Sequence, residues 1–282
     1  MLNISLKLSA SACVLTALCS APAGALVVVP DSSVASQPSD TVLARWGGNA
    51  SGVVISSEHV LTTRHQSGGV GTTVKVDGVN YEVVEVTNIQ DPDTPTNTLD
   101  LRVVRLVNQD TNAAANFTDF VGIYEGTDEV GQTMVIGGYG EGRGAEIRQG
   151  NNLLGYEWDG SEGTLRWGAN SVTGTQADAS FSNDQFQNDI LKAVFDSSGV
   201  DGEATVAKGD SGGGWFINDG GQWKVAALSQ GVQFTDEARF GEDLSAVRLS
   251  SYANQINNAV PEPGSALLLA GAIAGLAVRR RR

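Results

Sequence analysis

Short runs of valine, isoleucine and aromatic residues, separated by glycine-containing turns, recur along the chain from about Val42 onward. Runs of this length predict β-strands, because branched and aromatic side chains pack well on a pleated surface. The predicted strands are Ser51–Ser56, Thr72–Val76, Tyr81–Val86, Leu101–Leu106, Met134–Gly138, Trp215–Asn218 and Val225–Gly231. An excess of glycine (35 residues) over proline (7) fits many short strands joined by tight turns. The pattern predicts an all-β fold, either a sandwich or a pair of barrels.

Two further patterns mark turns and a helix. Asp77-Gly78 and Asp219-Gly220-Gly221 are predicted to be hairpin turns, since these residue types accept positive φ. Apolar residues on one face predict a helix from Leu249 to Ala259. The polar segment from Glu157 to Asn188 shows too weak a pattern for any strand to be assigned.

The first 25 residues have the pattern of a secretory signal peptide. A lysine and a short apolar core precede the small residues Ala23-Gly24-Ala25, a predicted cleavage site. Cleavage there would remove Cys13 and Cys19, the two cysteines of the chain, so the mature protein would hold together without disulfides. Residues 26–41 are predicted to be a polar, weakly patterned leader of the mature chain.

The other end of the chain has an equally distinctive order of residues. Val260-Pro261-Glu262-Pro263 precedes an apolar run from Gly264 to Val278, and Arg279 to Arg282 follow. The run is shorter than the ~20 residues of a membrane span. Residues 260–282 resemble the PEP-CTERM sorting signal of Gram-negative bacteria, although a simple membrane tail is an alternative. The resemblance implies an exosortase-type transpeptidase as a partner and only transient contact with the membrane. It implies export to the cell surface, the outer membrane or the extracellular matrix.

Composition and simple motifs exclude other functions. A formal net charge of −14 repels phosphate backbones, so nucleic acid is not an expected partner. The sequence has no His-Glu-x-x-His motif, and no metal or other cofactor is predicted. Asp91 and Asp93 fit either a calcium-binding loop or an ordinary solvated loop.

Three separated segments carry residues suited to nucleophilic catalysis. After removal of the signal peptide, His59 and His65 are the two histidines available as an imidazole base. His65 ends the run Val60–His65, Asp100 opens an apolar strand, and Ser211 lies within Gly209-Asp210-Ser211-Gly212-Gly213. A serine hydroxyl needs an adjacent base to accept its proton, and the base needs a group to orient it.

These segments resemble the three signatures of chymotrypsin-like (trypsin-family) serine proteases, in the family's order, over residues 42–259. The resemblance implies two six-stranded antiparallel β-barrels with the catalytic residues in the cleft between them, followed by a short C-terminal helix. It also implies protein or peptide substrates and an acyl-enzyme formed on Ser211. His65 would act as the base, Asp100 would orient it, and the N–H groups of Gly209 and Ser211 would form the oxyanion hole.

The same resemblance extends to binding and activation. Thr205, six residues before the nucleophile, is implied at the base of the specificity pocket, and its neutral side chain disfavours cleavage after Lys or Arg. Ser229, Gln230 and Gly231 are implied to pair with an extended substrate, with Gln230 replacing the usual tryptophan. Asp210 is implied to pair with a new N-terminal ammonium group, which cleavage after Ala25 would create, although the aspartate could instead cap its own loop.

Departures from the family concern mainly its disulfides. Gln66 and Ala207 stand where the family usually has cysteines, Arg64 replaces a small residue before the histidine, and Gly214 replaces a common proline. None of these changes removes a residue of the implied catalytic triad, which consists of His65, Asp100 and Ser211.

Other readings of the motifs fit less well. Gly209–Gly213 also matches a nucleophile elbow, but that architecture requires a histidine after the serine, and none follows. Residues 136–140 could be a phosphate-binding glycine loop, but no Lys-Ser/Thr pair follows. A protease-like surface module that binds without cleaving, and a structural matrix protein, remain as alternatives. We predict a secreted serine endopeptidase.

Overall fold

The chain is almost entirely β-structure in the computed structural model, which describes residues 25–30, 32–233 and 236–260. The strands of its first half are β1 (Val27–Val28), β2 (Leu43–Trp46), β3 (Ala50–Val54), β4 (His59–Thr62), β5 (Thr73–Val76), β6 (Val79–Gln90), β7 (Thr98–Asn108) and β8 (Gly122–Ile123). Those of its second half are β9 (Thr133–Gly138), β10 (Arg143–Gln149), β11 (Asn152–Trp158), β12 (Arg166–Phe181), β13 (Phe186–Val194), β14 (Ala204–Thr205), β15 (Gly214–Asp219), β16 (Gln222–Val232), β17 (Glu237–Arg239) and β18 (Asp243–Arg248).

Six strands of the first half close into an antiparallel barrel in the order β2-β3-β4-β7-β6-β5. The barrel closes where β2 pairs with β5, with Ala44 opposite Val76. Inward-facing aliphatic residues such as Val54, Val60 and Leu106 fill its interior, because successive side chains of a strand point to opposite faces.

The second half forms another barrel from β9, β12, β13, β18, β16 and β15, all antiparallel neighbours. Pairing of β15 with both β9 and β16 completes the ring, and β8 adds to β16 in parallel. Trp215, Met134 and Leu191 are fully buried in its core.

The two barrels share a third hydrophobic cluster. It joins Leu43 and Leu61 of the first barrel to Phe216 and Leu228 of the second. Ile256, on the terminal helix α1 (Ala253–Asn258), is also part of this cluster. Burial of apolar surface at this junction holds the barrels together. The prediction of an all-β fold, with two six-stranded barrels and a short C-terminal helix, is confirmed.

Local sequence signals are also confirmed. Asp77 and Gly78, with φ of 47° and 78°, connect β5 to β6 as a two-residue turn. Gly220 and Gly221 have positive φ and connect β15 to β16 in the same way. The predicted terminal helix is present as a 3-10 turn over Ser250–Tyr252 followed by α1.

Two segments differ from the sequence-based expectation. The unassigned polar segment 157–188 contains all of β12, which at 16 residues is the longest strand in the described chain. The start of the predicted leader is integrated into the body of the protein. Leu26 and Val27 are fully buried, and β1 pairs with β14, because the apolar run at residues 25–29 finds partners in the second barrel.

Residues 1–24 of the predicted signal peptide and the apolar run 264–278 lie outside the described residues. Within the described ranges, no helix has the length and apolar character needed to cross a membrane.

Candidate functional site

Three structural elements bring the predicted triad together at the junction of the barrels. His65 lies three residues beyond the end of β4, and Asp100 is the third residue of β7, the strand that pairs with β4. Ser211 lies in the loop between β14 and β15 of the second barrel. The base and the acid therefore come from one barrel and the nucleophile from the other.

The distances within the triad are those of hydrogen bonds. The Nε2 atom of His65 lies 2.8 Å from the Oγ atom of Ser211, and its Nδ1 atom lies 2.6 Å from Oδ2 of Asp100. An ionised carboxylate can only accept, so the proton of the neutral imidazole belongs on Nδ1. This leaves Nε2 as the acceptor for the serine hydroxyl.

The Asp100 carboxylate is fully buried and well supplied with donors. Its Oδ1 accepts the backbone N–H groups of Arg64 and His65, each at 2.7 Å. Its Oδ2 accepts the imidazole and, at 3.2 Å, the side-chain amide of Gln230. Four donors offset the cost of burying a charge and fix the plane of the carboxylate.

The loop that carries the nucleophile is held in shape by the first barrel. The backbone N–H of Ser51 donates to the Ser211 carbonyl at 3.0 Å, and the Ser51 hydroxyl donates to the Gly209 carbonyl at 3.1 Å. Gly209 has a φ of +92°, and a Cβ atom there would lie 2.8 Å from the Cα of Gly140. Both the backbone conformation and the close approach require glycine at position 209.

A buried carboxylate lies directly beneath this loop. Oδ1 of Asp210 accepts the N–H of Gly140 at 2.9 Å, and Oδ2 accepts the N–H groups of Ala207 at 2.8 Å and Leu26 at 3.3 Å. Burial raises the pKa of Asp210 to about 7, against the opposing effect of these hydrogen bonds. The Leu26 nitrogen that Asp210 contacts is the one that cleavage after Ala25 would turn into an ammonium group.

Two cavities flank Ser211. The first, called here the specificity cavity, has a volume of about 320 Å³. Its lining residues are Trp158, Phe181, Val206, Ala207, Lys208, Ser211, Ser229, Gln230, Gly231 and Val232. The second cavity, of about 400 Å³, lies toward the first barrel and is lined by Trp46, His65 and Gln66 among others. A polypeptide could thus extend to both sides of the nucleophile.

Three of the four predicted substrate-binding residues lie at the specificity cavity, and the fourth lies away from it. Ser229, Gln230 and Gly231 line the specificity cavity. Thr205 is fully buried and does not line it, and its hydroxyl donates to Glu242 at 3.2 Å. Burial also raises the pKa of Glu242 to about 7, so this carboxyl group is protonated in a fraction of the molecules near neutral pH.

Arg64 and Gln66, the two neighbours of His65, bond to the surrounding segments. The Gln66 amide donates to Thr63 Oγ1 at 2.7 Å and to the Ser211 carbonyl. It thereby ties the segment that follows the histidine to the nucleophile. Arg64 finds room outside the triad, where its guanidinium donates to the Leu99 carbonyl and lies 5.7 Å from the ring centre of Phe186.

Asp91, one of the two candidate calcium-binding residues, forms hydrogen bonds within its own loop. Asp91 accepts the N–H groups of Asp93 and Thr94 and the amide of Asn97. Within the part of the chain that the structure describes, no group of three or more potential ligands is arranged to hold a metal ion.

Phe181 and Ser51 are two residues of the site that sequence analysis did not identify. The ring of Phe181 lies 5.1 Å from that of His65, between centroids, in an edge contact. Ser51 was assigned only to a strand. No local pattern distinguishes either residue, because its contacts are made with residues distant in the sequence.

Comparison with known proteins places the chain among characterised folds. A family model described as Trypsin matches residues 31–256, and one described as the PEP-CTERM protein-sorting motif matches residues 259–282. A solved structure of neuropsin, a serine protease expressed in the limbic system of mouse brain, is 17% identical with a TM-score of 0.54. The match covers 79% of this chain and 96% of that one. A search of curated proteins found no match.

Proposed function

Because this chain belongs to the trypsin family, we propose that it is a secreted serine endopeptidase with His65, Asp100 and Ser211 as its catalytic triad. The observation that carries the proposal is the continuous hydrogen-bonded path from Asp100 through both ring nitrogens of His65 to Ser211. Each group faces the partner that its chemical role requires.

Acylation begins at the Ser211 hydroxyl. Its oxygen attacks the carbonyl carbon of the substrate while its proton passes to Nε2 of His65. Asp100 holds the imidazole through Nδ1 and stabilises the positive charge that the ring then carries. His65 next donates its proton to the amine of the breaking peptide bond, the amine leaves, and an ester remains on Ser211.

Deacylation repeats these steps with water as the nucleophile. Water attacks the ester carbonyl and gives one proton to His65, which returns it to the departing Ser211 oxygen. The carboxylic acid product leaves, and the enzyme regains its starting state. The role of Asp100 is the same in both halves of the reaction.

The backbone N–H groups of Gly209 and Ser211 form the proposed oxyanion hole. They would donate to the carbonyl oxygen as negative charge develops on it, and such a donor is typically worth ~3 kcal/mol in the transition state. The bonds from Ser51 to the carbonyls of Gly209 and Ser211 support this role, because they fix the backbone of this loop.

Cleavage of the peptide bond between Ala25 and Leu26 is the proposed activation step. The Leu26 nitrogen already lies 3.3 Å from Asp210, so little movement would bring an ammonium group into an ion pair. The pairing would stabilise the charged form of Asp210 and with it the loop that carries Ser211. Removal of the signal peptide on export would then create the active enzyme.

The C-terminal segment determines where the protein is expected to act. Its PEP-CTERM motif implies export and association with the cell surface in Gram-negative bacteria. We propose that an exosortase-type enzyme processes this segment and that the catalytic domain meets protein or peptide substrates outside the cell.

A fluorophosphonate probe tests the activated serine. The full chain is expressed in a host that exports it, and the purified protein is incubated with the probe beside a Ser211→Ala variant and a Ser57→Ala variant. Ser57 is a control because it lies in the turn between β3 and β4 and lines neither cavity that flanks Ser211. We expect labelling of the native chain and of Ser57→Ala but not of Ser211→Ala. N-terminal sequencing of the labelled protein should begin at Leu26. Absence of labelling in protein that begins at Leu26 would favour a surface module that binds without cleaving.

A further inference from the structure

The hairpin formed by β12 and β13 extends well beyond the second barrel. The first residues of β12, Arg166–Ser171, pair with β9, whereas Val172–Phe181 pair with β13 alone. Ser182, Asn183 and Asp184 close the hairpin with positive φ. A two-stranded ribbon is marginally stable by itself, so this extension needs anchors elsewhere.

The anchors of the hairpin lie next to the triad and on the C-terminal segment. The side-chain oxygen of Asn188 accepts the backbone N–H of Asp100 at 2.7 Å. Asp178 accepts the amide of Asn97 at 3.0 Å, and the N–H of Asp189 donates to the Tyr252 hydroxyl at 2.7 Å. These bonds hold the hairpin at a fixed position beside the catalytic acid.

Phe181 lies at the end of β12, where the hairpin reaches the cleft. Its half-buried ring contacts the edge of the His65 ring and lines the specificity cavity. A Cβ atom added to Gly231 would lie 2.9 Å from Cε2 of Phe181, so glycine at that position leaves room for the ring. The ring therefore forms a wall between the catalytic base and the cavity.

The side chain of Gln230, the residue before Gly231, is directed toward Asp100, so Phe181 forms this wall. The Gln230 side chain is buried, and its amide donates to Asp100. Trp158 and Phe181 are the aromatic residues that line the cavity, and Val206 and Val232 add aliphatic surface.

Charge at the cavity is largely neutralised. Lys208 is the charged residue among its lining residues, and its ammonium group pairs with Glu162 at 3.0 Å and Glu141 at 3.3 Å. No carboxylate is among the described lining residues, and Glu242 is buried behind Thr205. An apolar side chain fits this environment better than a cationic one.

We propose that Phe181 is a specificity-determining residue that, together with Trp158, selects substrates with a large apolar side chain in the specificity cavity. This inference rests on the proposed function and names its substrate class. The aromatic wall comes from a hairpin distant in sequence from the segment 229–231.

Phe181→Ala tests the proposal, with Phe120→Ala as the matched control. Phe120 is an exposed phenylalanine, 49% accessible, outside both cavities that flank Ser211. Each variant is prepared as the full exported chain. Cleavage of a peptide library is measured together with the rate of labelling by a small fluorophosphonate, which needs the triad but little of the cavity.

The expected result is a loss of selectivity without loss of the triad. In Phe181→Ala, the ratio of kcat/KM for Phe or Leu over Ala in the cavity should fall about tenfold, or ~1.4 kcal/mol. Labelling should change less than about twofold. Phe181→Leu should recover part of the selectivity, and Phe120→Ala should retain both properties.

Three results would overturn the proposal. One is an unchanged library profile in Phe181→Ala, and another is a native preference for Arg or Lys. The third is an equal fall in labelling and in cleavage of every substrate, which would assign Phe181 to the support of His65. If the native chain is not labelled, the proposed function fails separately. Peptide binding is then compared between Ser211→Ala and the double variant Ser211→Ala/Phe181→Ala. The comparison decides whether the cavity selects apolar side chains.

Discussion

The two barrels contribute unequally to the candidate active site. The first barrel supplies His65 and Asp100 from adjacent strands, β4 and β7. The second half of the chain supplies Ser211, Asp210 and every residue of the specificity cavity. In the proposed mechanism, the chemical step therefore depends on contact between the barrels, whereas selection and activation depend on the second barrel and the segments that dock on it.

Contact between the barrels depends on a few polar groups as well as on the shared apolar core. Ser51 bonds to both ends of the Gly209–Ser211 segment, and the Gln66 amide reaches the same serine carbonyl. These bonds cross the junction between the barrels, and Gln66 stands where the family resemblance implies a cysteine. A network of this kind holds the nucleophile in register with its base.

The largest expected effect tests the contribution of the first barrel. Asp100→Asn should reduce kcat by about 10⁴-fold, because an amide cannot hold the imidazole in the tautomer that accepts from Ser211. Kinetics of peptide hydrolysis measure this loss. Asp91→Asn, which changes a carboxylate that caps its own loop, is the matched control and should retain most activity. A loss of less than tenfold in Asp100→Asn would exclude Asp100 from the chemical step.

The next prediction tests the proposed activation through the pH dependence of the free energy of unfolding. The pKa of Asp210 is raised from 3.8 to about 7 when its neighbour is the Leu26 amide, so the folded protein binds a proton that the unfolded chain has lost. In protein that retains residues 1–25, the free energy of unfolding should therefore fall by a few kcal/mol as pH rises from about 4 to 7. Protein beginning at Leu26 should show a smaller fall, because the ammonium group stabilises the ionised carboxylate.

Denaturant titrations at several pH values measure this difference. Burial also raises the pKa values of Glu203 and Glu242 to about 7, and these groups contribute equally to both forms of the protein. Asp210→Asn is the control and should remove the difference between the two forms. Identical pH profiles before and after cleavage would contradict the proposed activation.

The smallest effect concerns the junction itself. Ser51→Ala removes the donor to the Gly209 carbonyl and the acceptor of the Tyr139 N–H, leaving buried groups unpaired. The variant should lose ~1–3 kcal/mol of stability, with a modest fall in kcat and little change in KM. Thermal unfolding and steady-state kinetics measure both, with Ser57→Ala as the control. Full stability and kcat in Ser51→Ala would show that the apolar core alone sets the position of the nucleophile.

Local patterns account for the successful predictions of fold. Branched and aromatic runs identified strands, and Asp77-Gly78 identified a hairpin turn, since such residues have strong local preferences. The polar segment that contains β12 gave no such signal. Most residues of β12 are exposed or half-buried, so the alternation that a buried face would impose is weak.

The sequence by itself determined which residues are candidates for catalysis. His65, Asp100 and Ser211 each stand in a distinctive local segment, and their order along the chain excluded the nucleophile elbow. The structure brings these residues within hydrogen-bond distance of one another.

Only the tertiary structure decided how the surroundings of the triad are used. It placed Phe181 against His65, turned Gln230 toward Asp100 and buried Leu26 beside Asp210. Each of these contacts joins residues more than a hundred positions apart in the chain. The physical reason is that strand register and the docking of two barrels set such contacts, and neither is encoded in the residues next to them.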